Sequence, residues 1–192
     1  MSEMNNQAVL FELNKYFEFL DKSIQTILLR PESDVLTYDI LDTEKSKTKK
    51  LIALKEKQRV MKIGDIWQEV LGNYNGCVNL KKGHETGLDI LSHSRKIVVE
   101  LKNRTNTDNA SSKKANLDKL AKFKKSNPEY ICIYANINAD TEEKTLKGSI
   151  KKKLHDGVEI EHHVGCKILN FILGSDMESI IEFVKNTIDK YT

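Results

Sequence analysis

The stretch Gly87-Leu-Asp-Ile-Leu-Ser-His-Ser-Arg-Lys-Ile-Val-Val-Glu-Leu-Lys102 holds three side chains suited to hydrolytic chemistry: Asp89, Glu100 and Lys102. Its aliphatic runs, 87–92 and 96–102, read as two strands, and a turn at Ser94-Arg95 makes them a hairpin. Folding the chain symmetrically about that turn sets Asp89 opposite Glu100, with Cβ atoms about 4.5–5.5 Å apart on one face. Side chains alternate along a strand, so Val98 and Lys102 share that face while Ile97, Val99 and Leu101 take the other. Two opposed carboxylates in an apolar ladder repel each other and resist burial. A divalent cation resolves the conflict: Mg²⁺ prefers carboxylate oxygen, keeps several waters and completes its shell with phosphate oxygen. A lysine beside it can orient an attacking water or stabilise charge building on the phosphate. The three residues together have the parts of a phosphodiester-cleaving site. The bland alternative is the charged outer face of an exposed hairpin, because 31% of the chain is charged and an acid–spacer–lysine match is common.

The polar run 103–114, NRTNTDNASSKK, follows the second strand at once and reads as a loop. About 12 residues is long for a structureless connection, which favours a role in binding. Asn106, Asn109, Ser111 and Ser112 can donate and accept hydrogen bonds, and Lys113 and Lys114 can pair with phosphate. Asparagine can also meet adenine edges, and an arginine such as Arg104 guanine edges. Lys119, Lys122, Lys124 and Lys125 on the next predicted helix suit phosphate contacts, and equally suit a solvated helix face.

These residues need elements to position them. Leu10, Leu13, Phe17, Leu20, Ile24 and Ile27 recur at steps of three and four, which predicts a helix over 5–29, ended by Pro31. An acidic connection over 32–44 leads to a lysine-rich helix at 46–60 anchored by Leu51 and Leu54. Ile63, Ile66, Trp67 and Val70 continue the helical spacing, with Gly64 as an interruption or a fresh start. Gly72 reads as a C-terminal cap. A short strand is expected at 76–80, and after the hairpin a helix at 116–125 with Leu117, Leu120 and Ala121 inward. Asn127-Pro128 stops it. Tyr130 to Ile137 is the clearest buried strand. Residues 138–156 read as polar with a lysine triplet at 151–153, and 158–162 as a short strand. Ser175 with Glu178 signals a capping box for a last helix whose face is Ile180, Ile181, Val184 and Ile188. This order suits an α/β or α+β sandwich in one domain, with a helical part at 1–60, a catalytic core at 61–137 and a C-terminal part at 138–192.

Net charge is +3, but its distribution is uneven. Residues 1–44 carry 9 acidic and 3 basic side chains, 45–125 carry 8 and 20, and 126–192 carry 11 and 8. A basic middle between acidic ends points to a polyanion, with solvated helix faces as the alternative. Only 9 glycines and 2 prolines exclude a collagenous or low-complexity chain. No apolar run is long enough to span a bilayer, and MSEMNNQ lacks the features of a signal peptide. Three widely spaced cysteines, Cys77, Cys132 and Cys166, argue against a disulfide framework and for the cytoplasm. His162-His163 and Cys166 lack a fourth ligand for zinc. His84 reads as a loop histidine, and Trp67 and the tyrosines as core. No phosphate-binding glycine loop or dinucleotide fingerprint is present.

Asp89, followed by Glu100-Leu101-Lys102 at the end of the next strand, resembles the PD-(D/E)xK nuclease signature. Residues 62–137 as a block resemble the core of a type II restriction endonuclease of that superfamily. The likeness is carried by Gly64-Asp-Ile-Trp-Gln-Glu69, Gly83-His-Glu-Thr-Gly-Leu-Asp89, Val99-Glu-Leu-Lys-Asn-Arg104 and Asn106-Thr-Asp-Asn-Ala-Ser-Ser-Lys-Lys114. Among such enzymes it is most similar to those cutting GGNCC-type sites. The resemblance implies a mixed central sheet flanked by helices. It implies Asp89, Glu100 and the Leu101 carbonyl as metal ligands, all three of Asp89, Glu100 and Lys102 as catalytic, and Glu69, the acid on the helix before the sheet, as a fourth catalytic residue. It implies Mg²⁺, replaceable by Mn²⁺, and cleavage of double-stranded DNA to 5′-phosphate and 3′-hydroxyl ends. A homodimer and a companion DNA methyltransferase follow from the same likeness. Leu88 departs from the proline of the motif, a position that is not a ligand. Rival readings are another nuclease of this fold, for repair or junction resolution, and a DNA-binding module without cleavage.

Overall fold

The computed structural model describes residues 2–31, 34–105 and 109–192. Helices α1 (Ser2–Leu28) and α2 (Glu44–Gly72) come first. Strands β1 (Val78–Asn79), β2 (Ile90–Ser92) and β3 (Ile97–Arg104) follow, then α3 (Ala110–Ser126) and β4 (Ile131–Asn138). Helix α4 (Glu142–Lys147), strands β5 (Ser149–His155) and β6 (Val158–Val164), and helices α5 (Cys166–Leu173) and α6 (Met177–Tyr191) complete the chain. The six strands form one mixed sheet in the order β1-β2-β3-β4-β6-β5. The β1–β2, β2–β3 and β5–β6 pairs are antiparallel, whereas β3, β4 and β6 run parallel. This is an α+β architecture with helices on both faces.

The alternation of β3 explains the layers. Ile97, Val99 and Leu101 join Ile90, Ile133 and Ile137 in a core covered by α1, α2, α5 and α6. Val98 points the other way, with Leu88, Leu91, Cys132, Tyr134 and Ile160, under Leu120 and Ala121 of α3. Val98 and Val99 are both fully buried, and each such side chain contributes about 1.5–3 kcal/mol. The expected face of α1 is inward at Leu20, Ile24 and Ile27.

Several boundaries differ from the sequence reading. Gly64 does not interrupt α2, which is continuous from Glu44 to Gly72. Gly72 ends that helix rather than capping it: a Cβ there would stand 2.7 Å from Asn79 Cβ, so glycine lets α2 meet β1. The run 103–114 is not one loop, because β3 extends to Arg104 and α3 starts at Ala110. Asn109 caps that helix, its side chain accepting from the Ser112 amide at 2.8 Å. Within 138–156 lie α4 and edge strand β5, which turns into β6 at Asp156-Gly157, both with positive φ. The Ser175–Glu178 capping box does not form; Ser175 lies in a short 3₁₀ turn and Asp176, with no capping bond of its own, accepts from the Tyr74 hydroxyl. The three cysteines are free thiols. Among the described residues no helix is long and apolar enough to cross a membrane.

Candidate active site

The β2–β3 register is the expected one: Ile90 pairs with Val99, Leu91 with Val98 and Ser92 with Ile97. Asp89 stands one residue before this ladder begins. Its amide donates to the Val99 carbonyl at 3.1 Å, and its own carbonyl accepts from the Leu80 amide at 2.9 Å. Its carboxylate takes the place of a strand acceptor, with Oδ2 receiving the Leu101 amide at 2.7 Å. Oδ1 accepts from Gln68 Nε2 of α2 at 3.0 Å. The acid is thereby held from the sheet on one side and from a helix on the other.

Glu100 lies one register step further on β3, and only 4% of its side chain is exposed. Oε1 accepts from Lys102 Nζ at 2.7 Å. Oε2 is buried and has no hydrogen-bond partner. A buried carboxylate oxygen left in that state is costly unless something else completes it. Burial pushes the Asp89 carboxyl above its ordinary range, against the pull of the Leu101 amide and of Lys102, Lys119 and Lys82. Burial does the same to Glu100, and the neighbouring Asp89 charge adds to it, against Lys102 and Lys119. Two carboxylates thus share a dry corner with an open oxygen.

That donor set fits a hard divalent cation. Mg²⁺ is held by one or two carboxylates, with waters and phosphate filling the other positions. Among the described residues no group of three or more His, Cys, Asp or Glu is arranged for a metal, so an all-protein cage is not what this site offers. The Lys102 side chain, 22% exposed, places its ammonium between the buried acid and solvent.

Other expected residues fall differently. Glu69 turns toward Asn73, whose Nδ2 donates to Oε2 at 2.9 Å, and pairs with Lys81. The α2 residue that touches Asp89 is its neighbour Gln68, an amide that an acidic motif does not single out. Arg104 donates to Glu56 at 3.3 Å. Asn106 lies outside the described residues. Asn109 is engaged as the α3 cap, and Ser111 is exposed on the first turn. Lys113 lies over the Tyr134 ring at 5.7 Å, and Lys114 pairs with Asp118 at 3.0 Å. Lys119 donates to the Gly87 carbonyl at 3.2 Å, close enough to the two acids to act on both. Lys122 lines a cavity of about 780 Å³ beside His84, Phe123 and Tyr130.

The family model described as Eco47II restriction endonuclease matches residues 5–192 of the chain. No curated protein matches it.

Proposed function

The chain belongs to the Eco47II restriction endonuclease family, which makes it a site-specific deoxyribonuclease, and on that premise we propose that Asp89, Glu100 and Lys102 form its Mg²⁺-dependent cleavage centre. The observation that carries this is the buried, unpartnered Glu100 Oε2, with Asp89 beside Glu100 and Lys102 bonded to its other oxygen. Asp89, Glu100 and the Leu101 carbonyl would hold the cation, and Mn²⁺ carries the same ligand preferences. When bound, the cation supplies positive charge that stabilises the negative charge developing on the phosphate.

The protein groups do the rest. The Leu101 amide and Gln68 fix the plane of the Asp89 carboxylate before any ligand arrives. Lys102 stands between the acid pair and solvent, where its ammonium orients the attacking water and meets the charge gathering on phosphate oxygen. The water oxygen bonds to phosphorus and the bond from phosphorus to the 3′ oxygen breaks. A proton passes to that oxygen, leaving 5′-phosphate and 3′-hydroxyl ends. Glu69, one position along α2 from Gln68, belongs to the rim of this PD-(D/E)xK-type centre. Arg104, Asn106, Asn109, Ser111, Ser112, Lys113, Lys114, Lys119 and Lys122 are proposed to meet the DNA.

A GGNCC-type target, a companion methyltransferase and a cytoplasmic setting beside the DNA it surveys complete the proposal. Cutting both strands of a symmetric site calls for two centres, hence a homodimer. Exposed Val35, Tyr38, Ile40 and Leu41 offer an apolar surface for a second copy. Asp34 and Asp42 there are paired with Lys57 and Lys50 of the same chain, so the apolar side chains would carry the contact.

Digestion of a long plasmid with and without Mg²⁺ tests the reading. Discrete fragments that appear only with the cation are expected. A smear would favour a repair-type nuclease, and intact DNA a binding module.

A further inference from the structure

Glu56 of α2 stands outside the function argued so far, yet its carboxylate joins two arginines. Oε1 accepts from Arg59 Nη2 at 3.1 Å and from Arg104 Nη2 at 3.3 Å, and Oε2 accepts from Arg59 Nε at 2.8 Å. Arg104 is the last residue of β3, the strand that carries Glu100 and Lys102. Side-chain exposure climbs along that strand, from 4% at Glu100 to 22% at Lys102 and 47% at Arg104. The strand thus leads out of the dry corner to open surface. At about 3.3 Å per residue, Arg104 stands about 13 Å along the strand from Glu100. With about 3.4 Å between stacked base pairs, that distance stays within a short recognition site.

The cluster sits on a fixed platform. Asn103 Nδ2 donates to the Val60 carbonyl at 3.0 Å, which fastens the end of β3 to α2. Asn138, paired with Arg104 across to β4, donates from Nδ2 to Asn103 Oδ1 at 2.9 Å. Beside them opens a cavity of about 420 Å³ lined by Arg59, Arg104, Asn103, Asn138, Asp140 and Glu142, among others. Asp140 accepts from the Thr105 hydroxyl at 2.5 Å. Guanidinium, amide and carboxylate side by side suit the mixed donors and acceptors of base edges, whereas phosphate calls for donors and positive charge. Arg59 spends its Nε–Nη2 edge on Glu56, so its Nη1–Nη2 edge points away from the carboxylate. Such an edge is the fork that meets guanine O6 and N7. Arg59, and after it Arg104, hold the Glu56 carboxyl below its ordinary range, so it is ionised near pH 7 and keeps its grip on both.

We propose that Arg59 and Arg104 each read one guanine, on neighbouring base pairs of the target, with Glu56 as the positioning residue that aims them. Two guanidiniums bonded to one carboxylate oxygen are close enough to meet base pairs stacked about 3.4 Å apart. Lysine in either place would keep the charge but lose the planar fork. The inference rests on the reading of the Asp89–Glu100 centre as a DNA-cleaving site.

The test compares cleavage of cognate and altered DNA. Digesting a plasmid of known sequence and sequencing the fragment ends gives the parent's site. Short duplexes carrying that site, and each single base-pair change in it, then give the discrimination at every position. Arg59→Lys and Arg104→Lys should each lower discrimination against a G·C to A·T change about tenfold or more at one position, the two positions being adjacent. Glu56→Gln should lower it at both. The lysine variants should melt as the parent does, because an exposed ion pair contributes little to stability. Unchanged discrimination in both lysine variants, a loss spread evenly over all positions, or a parent site without neighbouring G·C pairs would overturn the reading role while leaving the cleavage centre standing. A parent that leaves the plasmid intact with Mg²⁺ present would overturn both.

Discussion

At the residue scale the account turns on two acids that the fold has made uncomfortable. Both Asp89 and Glu100 have carboxyls raised by burial. In the unfolded chain they titrate near pH 4. Between that value and the raised one, the folded protein binds more protons than the unfolded one, so stability falls as pH rises. Surface acids such as Asp118, lowered by His155 and Lys114, act in the opposite sense at lower pH. The informative quantity is therefore the difference between parent and variant. Metal-free Glu100→Gln should be less sensitive to rising pH than the parent, and at neutral pH it should melt at the same or a higher temperature. Thermal melts over a pH series check this, and a variant that loses more stability than the parent with rising pH would contradict it. The nearness of Asp89, Glu100 and Lys102 was legible in the sequence because strand alternation and a symmetric turn are simple rules. Gln68 was not, because an amide on a helix face carries no chemical signal until Asp89 is seen 3.0 Å away.

At the element scale, what could be read followed periodicity, and what was missed followed local chemistry. The buried run of β4 and the inward face of α1 were plain in the pattern of aliphatic residues. The β5–β6 hairpin was hidden because the lysine-rich strand β5 is exposed and lacks apolar alternation, although Asp156-Gly157 is a strong turn signal. The first turn of α3 passed for loop because Asn, Ser and Ser favour caps and turns, which is how Asn109 serves. Two glycines of α2 separate the effects of contact and propensity. At Gly72 an added Cβ would lie 2.7 Å from Asn79 Cβ and 2.9 Å from its Cα, so β1 must move. At Gly64 the nearest atom is Asn103 Cβ at 3.8 Å, an ordinary contact. Gly72→Ala should cost about 1–3 kcal/mol. Gly64→Ala should gain up to about 1 kcal/mol from helix propensity. Denaturant unfolding of both variants measures the pair, and equal effects would show that α2 and β1 do not meet closely.

At the scale of the whole molecule, the sheet organises function. Its β2–β3 end holds the acid pair, its β5 edge exposed lysines, and α3 lies over the strands between them. The acidic ends and basic middle of the sequence reflect this only in part, because exposed Lys151 and Lys153 of β5 come from the acidic C-terminal third. Sequence distance concealed an arrangement that three strand pairings create. The same view sets the apolar 35–41 segment against the first half of α2, whose other half carries Gln68, so one element links the proposed second copy to Asp89. The central claim is that the buried acid pair, with its cation, cuts the DNA. Single-turnover cleavage of plasmid DNA by Asp89→Asn, with enzyme saturating and Mg²⁺ present, tests it most directly, because it separates chemistry from binding. The account predicts a rate at least about a hundredfold below the parent with DNA binding retained; a rate within about threefold of the parent would contradict it.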